Sequence, residues 1–209
     1  MAQLPGLPDE AFAKADPSPD AEFYDFPRFV THIDDAAIAV VTQAYREHLP
    51  AGGTLLDLMS SWVSHLPEEI AYTSVVGHGM NEEELAANPR LSRWFVQDLN
   101  IDPLLPLADD MFDGASLCVS VQYLQRPVDV FREVRRVLRA EAPFIVSFSN
   151  RCFPTKAVAI WQSLAGPDQQ RLVGAYLTAA GFSNVATKSV TPRHSDPLWI
   201  VIGTYSRGS

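Results

Sequence analysis

The chain has 209 residues, 47% of them hydrophobic and 20% charged, a composition that excludes wholesale disorder and fibrous repeats. Its length suits one domain whose core withdraws roughly 70% of the unfolded surface from water, so no disulfide framework is needed to hold it. Sixteen Lys and Arg against 25 Asp and Glu give a net charge of −9, which repels a nucleic-acid duplex or an anionic membrane face. Neither is an expected partner. Two cysteines, Cys118 and Cys152, are too few and too far apart for a zinc ribbon, and a reducing, cytoplasmic setting is the expectation. The longest unbroken apolar run, residues 36–41, is far short of the ~20 residues that span a bilayer, and the N-terminus lacks the basic start and apolar stretch of a secretory leader.

Residues 1–25 hold six acids against Lys14, with prolines at 5, 8, 17 and 19. Prolines and like charges disfavour regular structure, so residues 1–30 are expected to form an acidic arm or lid, mobile in character, ahead of a single domain over 31–209. From Ile33 the pattern turns helical, with Asp34 as cap, Ala37, Val41 and Ala44 on one face, and Leu49-Pro50 as the stop. Short apolar runs at 54–58, 72–77, 93–97, 116–121 and 144–148 lack period-two alternation, as strands buried on both faces do. Helical stretches separate them: 62–69 weakly, 81–88 briefly and 128–138 strongly, the last with Val130, Phe131, Val134, Val137 and Leu138 on one side. Alternation of this kind implies a parallel sheet with right-handed crossovers. Beyond it, 156–164 and 168–180 read as helices, the second closed by Gly181. Two last strands, 185–190 and 198–205, are joined by Thr-Pro-Arg-His-Ser-Asp-Pro, too short for a parallel crossover, so they pair antiparallel.

The stretch Phe112-Asp113-Gly114-Ala115-Ser116, then Ser120-Val121-Gln122-Tyr123-Leu124, then Val130 to Leu138, then Phe144-Ile145-Val146-Ser147-Phe148 resembles, in content and spacing, the S-adenosylmethionine-dependent methyltransferases of the seven-stranded class. With Leu55-Leu56-Asp57-Leu58 upstream, the likeness spans roughly residues 50–150. It implies a three-layer, Rossmann-like α/β fold: a mostly parallel seven-stranded sheet whose last strand runs antiparallel. It also implies S-adenosyl-L-methionine as cofactor, with Asp57 closing the first strand and Asp98-Leu99 after the third meeting adenine.

Two positions depart from the family. Its glycine-rich turn after strand one is here Met59-Ser60-Ser61-Trp62-Val63, and its ribose-binding acid at the end of strand two falls nearest Gly79, in Val75-Val76-Gly77-His78-Gly79-Met80-Asn81. His78 or Asn81 could substitute as acceptors for the ribose hydroxyls, although Asn81 followed by Glu82-Glu83-Glu84 equally suits a helix cap. Ser60, Ser61 and Ser64 could take over contacts to the methionine carboxylate if the loop swings outward, or one could cap a following helix. Asp98 has a competing role as a turn former.

On the acceptor side, Tyr123 and His65 are candidate catalytic groups, and Gln122, Asn150 and Arg151 candidate substrate contacts. Packing would account equally for Tyr123, a satisfied histidine for His65, and an ion pair with the acidic arm for Arg151. Cys152 reads as a small buried hydrophobe. The expected function is methyl transfer to a small-molecule acceptor; the alternative is a methyltransferase-like binding module without turnover, acting through a ligand or protein partner.

Overall fold

The structure, a computed structural model, describes residues 4–206. The first three residues of the arm lie outside them. Seven strands form one sheet in the order β3-β2-β1-β4-β5-β7-β6. β1 (Thr54–Leu58), β2 (Ser74–Gly79), β3 (Arg93–Val96), β4 (Gly114–Cys118) and β5 (Phe144–Ser149) run parallel. β7 (Leu198–Thr204) lies antiparallel to both β5 and β6 (Asn184–Val190). This is the mostly parallel sheet with an antiparallel last strand that the apolar runs and the seven-residue connection imply. The central strands β1, β2, β4 and β5 are almost wholly buried, whereas β3 and β6 at the two edges are largely exposed, as coverage of both faces requires.

One face is covered by α4 (Pro127–Val137) and α6 (Gly166–Ala180), whose Val130, Phe131, Val134, Val173 and Tyr176 meet Phe144 and Val146. α2 (Asp35–His48) covers the other with Ala37, Val41, Ala44 and Tyr45 against Leu55, Val75 and Ile145. Local chemistry sets the helix ends. The Asp34 carboxylate accepts the Ala37 N–H at 2.9 Å at the start of α2. Gly181, at φ 94°, closes α6 in the left-handed conformation that a side chain disfavours.

The weakly helical stretch 62–69 is not a helix: residues 59–73 cross from β1 to β2 irregularly. Pro67 disfavours helical backbone at Leu66, and the polar groups of the segment bond elsewhere. Trp62 Nε1 donates to Val30 O, and Asn88 Nδ2 donates to Ser61 O and Ser64 Oγ. β2 begins two residues later than 72–77 because the Thr73 N–H and hydroxyl first turn back to Gly53 and Gly52. β4 likewise lies two residues earlier than 116–121 and stops where Val119 takes φ 48°. α5 is shortened to Ala159–Ser163, its predicted first turn being spent on contacts with the arm.

The arm is packed, not splayed. Phe12 is buried in the core, Lys14 bridges Val158, and the Ala159 N–H donates to Ala13 O at 2.9 Å. The short helix α1 (Asp20–Tyr24) follows. Lys156, with no exposed surface, donates to Ser18 O at 2.7 Å and Ser18 Oγ at 3.0 Å, and reaches Asp16 at 3.1 Å and Asp20 at 3.5 Å. Lys14 pairs with Asp20 from the other side. Buried charges are stable only when paired, and this cluster clamps the arm to the start of α5.

Candidate active site

Beyond the C-terminal ends of β1, β2, β3 and β4 lies a cavity of about 230 Å³, lined also by the arm and by the turn after β5. Open parallel sheets place their ligand crevice there because adjacent connections diverge at that edge.

At the end of β1, Asp57 is buried and accepts the Ser60 hydroxyl at 2.5 Å and the Ser116 hydroxyl at 3.0 Å. Burial raises its pKa, while the hydroxyls favour the ionised form. The chain then turns through Met59 at φ 53°. The Met59 N–H donates to His78 Nδ1 at 3.1 Å, and the Ser60 N–H donates to His78 O at 2.6 Å. Because Nδ1 accepts, the imidazole proton sits on Nε2, which donates to Gln97 O at 2.9 Å. Desolvation holds this ring's pKa down at about 4. His78 therefore ties the turn after β1 to the ends of β2 and β3, and neither ring nitrogen is available to a ribose hydroxyl.

The turn passes so close to β2 that a Cβ on Gly79 would lie 2.6 Å from Ser60 O. An acid at that position would collide with backbone. The two departures from the family pattern are thus one structural event: the loop carrying side chains in place of glycines occupies the space where the strand-end acid would project.

α3 (Glu82–Ala87) starts beside this point. Asn81 caps it, its Oδ1 accepting the Glu84 N–H at 3.0 Å, while its Nδ2 donates to Tyr24 O and Asp25 O of the arm at 2.9 and 3.0 Å. Glu84 faces the cavity and accepts the Ser61 hydroxyl at 2.6 Å and the Arg28 N–H at 2.7 Å. After β3, Asp98 lines the cavity and its Oδ1 accepts the Asn100 N–H at 2.9 Å, a turn contact that leaves the carboxylate at the cavity wall. Leu99 is buried beside it.

Across the cavity Tyr123 stacks on Phe153, ring centres 6.0 Å apart, and its hydroxyl oxygen accepts the Phe153 N–H at 2.9 Å. Burial lifts the phenol to about 12, so it is protonated at neutral pH. His32, just after the arm, meets Phe153 edge-on at 5.5 Å. Burial lowers the pKa of His32 and of His65, and for His65 the proximity of His32 adds to the effect. His65 takes φ 54°, a conformation uncommon for a side-chain-bearing residue.

Residues 58–146 match the family described as methyltransferase domain. That stretch runs from the end of β1 into β5. No curated protein sequence matches it. Among solved structures it is similar in fold to a protein of Pyrococcus horikoshii OT3 (17% identity, 88% of this chain and 99% of that one, TM-score 0.63). It is similar also to a chain of the complex between the Trm112 methyltransferase activator and a putative methyltransferase of Haloferax volcanii (14%, 83% and 92%, 0.65). A third likeness is to the 4+2 cyclase SpnF (17%, 83% of each, 0.64).

The cavity brings together Asp57, Ser60, Ser61, His65, His78, Asn81, Asp98, Leu99, Tyr123 and Arg151. Gln122 and Asn150, expected as substrate contacts, do not line it. Gln122 is buried with its amide donating to Val119 O, and Asn150 is exposed and accepts the Ser149 hydroxyl. Arg151 does line it, paired with Asp196 at 2.8 Å and not with the acidic arm. Asp20, Tyr24 and Arg28 of the arm, together with His32 and Glu84, escape sequence reasoning. They reach the cavity through contacts distant in sequence, and only the Asn81-x-x-Glu84 capping pattern marked one of them. Cys118 and Cys152 both line the cavity, but burial raises both thiols, Cys118 to about 12, which removes them as nucleophiles at neutral pH. Among the described residues no group of three His, Cys, Asp or Glu could hold a metal, and no helix is long and apolar enough to cross a membrane.

Proposed function

We propose that the cavity binds S-adenosylmethionine and directs its methyl group to a small-molecule acceptor. The observation that carries this reading is the charge of the cavity lining. Three carboxylates not paired with a lysine, Asp57, Glu84 and Asp98, face the cavity against two guanidinium groups, Arg28 and Arg151, the second of them paired with Asp196. An acidic lining suits a ligand whose sulfonium and ammonium outweigh its single carboxylate, and the carboxylates accept from amino and hydroxyl groups.

The cofactor supplies an electrophilic methyl carbon; the chain's task is to hold and orient. Asp98 and the backbone at Leu99 suit the adenine edge. Ser60 and Ser61, whose hydroxyls bond to Asp57 and Glu84, suit the amino-acid end. Tyr123, Phe153 and His32 form the aromatic wall on the acceptor side, and closure of the arm over it excludes water and favours an in-line approach. His65, with His32 beside it, is kept neutral and can take a proton from an acceptor that must lose one. Tyr123, protonated, serves as a donor or wall and not as a base.

A second reading, a binding module without turnover, draws support from the loop after β1, whose Met59 and Ser60 N–H groups are both committed to His78. Calorimetric titration with S-adenosylhomocysteine tests the cofactor site, with an expected Kd on the order of 10⁻⁵ M. Absence of binding at about 1 mM ligand overturns the cofactor reading. Binding without transfer from the radiolabelled methyl donor to any of a set of small amines, phenols and carboxylic acids would leave the module reading ahead.

A further inference from the structure

Gly79 stands where a strand-end acid would project, and the Ser60 carbonyl fills the space a side chain there would need, 2.6 Å from a Cβ. A vicinal diol bound in the cavity still requires acceptors, and a carboxylate, with two oxygens side by side, matches two adjacent hydroxyls. Asp57 is already engaged by two serine hydroxyls. Asp20 is engaged by Lys14, Lys156 and Asn100. Asp98, in the turn after β3, is assigned to the adenine edge, and its Oδ1 accepts the Asn100 N–H. Glu84 is different: it projects from the first turn of α3, directly after β2, and each of its oxygens accepts one hydrogen bond, Oε1 from Arg28 N–H and Oε2 from Ser61 Oγ. A carboxylate oxygen has two lone-pair sites, so a second acceptor position remains on each.

We propose that Glu84 accepts the ribose hydroxyls of the cofactor, the role moved from the end of β2 to the first turn of α3 because the loop after β1 closes the original position. This assignment rests on the cofactor reading above. Glu84 also holds the arm through Arg28 and the loop through Ser61, so one carboxylate joins ligand, lid and loop, and the diol completes the coordination of a group that is already oriented. Discrimination for a ribose over a deoxyribose ligand follows, since a missing hydroxyl leaves an acceptor position at the cavity wall unmet.

The test is a binding cycle read by calorimetry on the full chain, with S-adenosylhomocysteine and its 2′-deoxy analogue against wild type, Glu84→Gln and Glu84→Ala. Wild type is expected to prefer the ribose ligand by about tenfold. Glu84→Ala is expected to bring the two ligands within about twofold, and Glu84→Gln, which keeps one acceptor oxygen, to fall between. Should the alanine variant fail to fold, the glutamine variant decides, because its shape is conserved while half of the acceptor capacity is lost. If wild type binds the ribose ligand and the preference is unchanged in the variants, or wild type shows no preference, the Glu84 assignment falls and the cofactor reading stands. If wild type binds neither ligand, both fall.

Discussion

His78 shows how one buried side chain sets the shape of a site it does not chemically serve. Its neutral ring accepts from Met59 and donates to Gln97, and burial holds its folded pKa near 4 against 6.5 for a free imidazole. The unfolded chain therefore binds a proton below pH 6.5 that the folded chain does not take up until about pH 4. A depressed folded pKa means that this contribution is present above pH 6.5 and is lost as the pH falls from there toward 4. Between pH 7 and pH 4.5 wild type is expected to lose about 2–3 kcal/mol more than His78→Gln, whose amide can reproduce both hydrogen bonds without titrating. Urea denaturation of both proteins at the two pH values measures it, and equal losses would show that His78 does not govern this part of the pH response.

At the scale of elements, the connection from β1 to β2 is where the chain parts from a simple strand-helix-strand unit. Its serines, Trp62 and backbone bond outward to α3, β2 and the arm, and Leu66 is buried beneath it. Its Ser60 carbonyl leaves no room for a side chain on Gly79, where a Cβ would lie 2.6 Å away. Gly79→Ala forces the backbone of one of the two segments to move, because the obstacle is a carbonyl and not a flexible side chain. Overpacking of this kind costs roughly 1–3 kcal/mol, and S-adenosylhomocysteine affinity is expected to fall with it. A change in unfolding midpoint indistinguishable from wild type would show that the loop is not seated on β2. The capping residues of the neighbouring elements were legible from sequence, Asp34 and Asn81 included, because a cap is read within four residues. The outward bonds of 59–73 were not, since each partner lies at least eighteen residues away.

The molecule as a whole joins an acidic arm to the sheet domain by a buried ion cluster. Lys156 sits without exposed surface among Ser18, Asp16 and Asp20, and Asp20 reaches on to Asn100, whose amide also holds Tyr123 O at 3.0 Å. The clamp and the cavity wall are therefore continuous. Removing one partner of a buried ion cluster leaves uncompensated charge, at a cost of about 3 kcal/mol or more. Lys156→Ala is expected to release residues 13–24, seen as faster hydrogen exchange there while β4 and β5 keep their protection. Equal acceleration across the sheet would mean that Lys156 supports the global fold, and no acceleration would mean that Phe12 anchors the arm alone. The arm's prolines and charge suggested mobility because composition counts the acids; it does not show that Asp16 and Asp20 face a buried lysine about 140 residues further on.

What the sequence determined by itself is whatever short-range physics controls. Apolar runs without alternation marked the central strands, a seven-residue connection made β6 and β7 antiparallel, and Gly181 ended α6. The spacing from Phe112 to Phe148 carried the likeness to the methyltransferases, and with it Asp57 and Asp98 at the strand ends. Tertiary structure alone decided the rest of the site. Whether His78 is a ligand or a brace depends on which atoms occupy its two nitrogens. Whether an acid can sit at 79 depends on the path of a loop twenty residues earlier. Glu84, Arg28 and His32 share a cavity wall because hydrogen bonds across about 55 residues of chain hold the arm against α3, and no periodicity encodes contacts of that length.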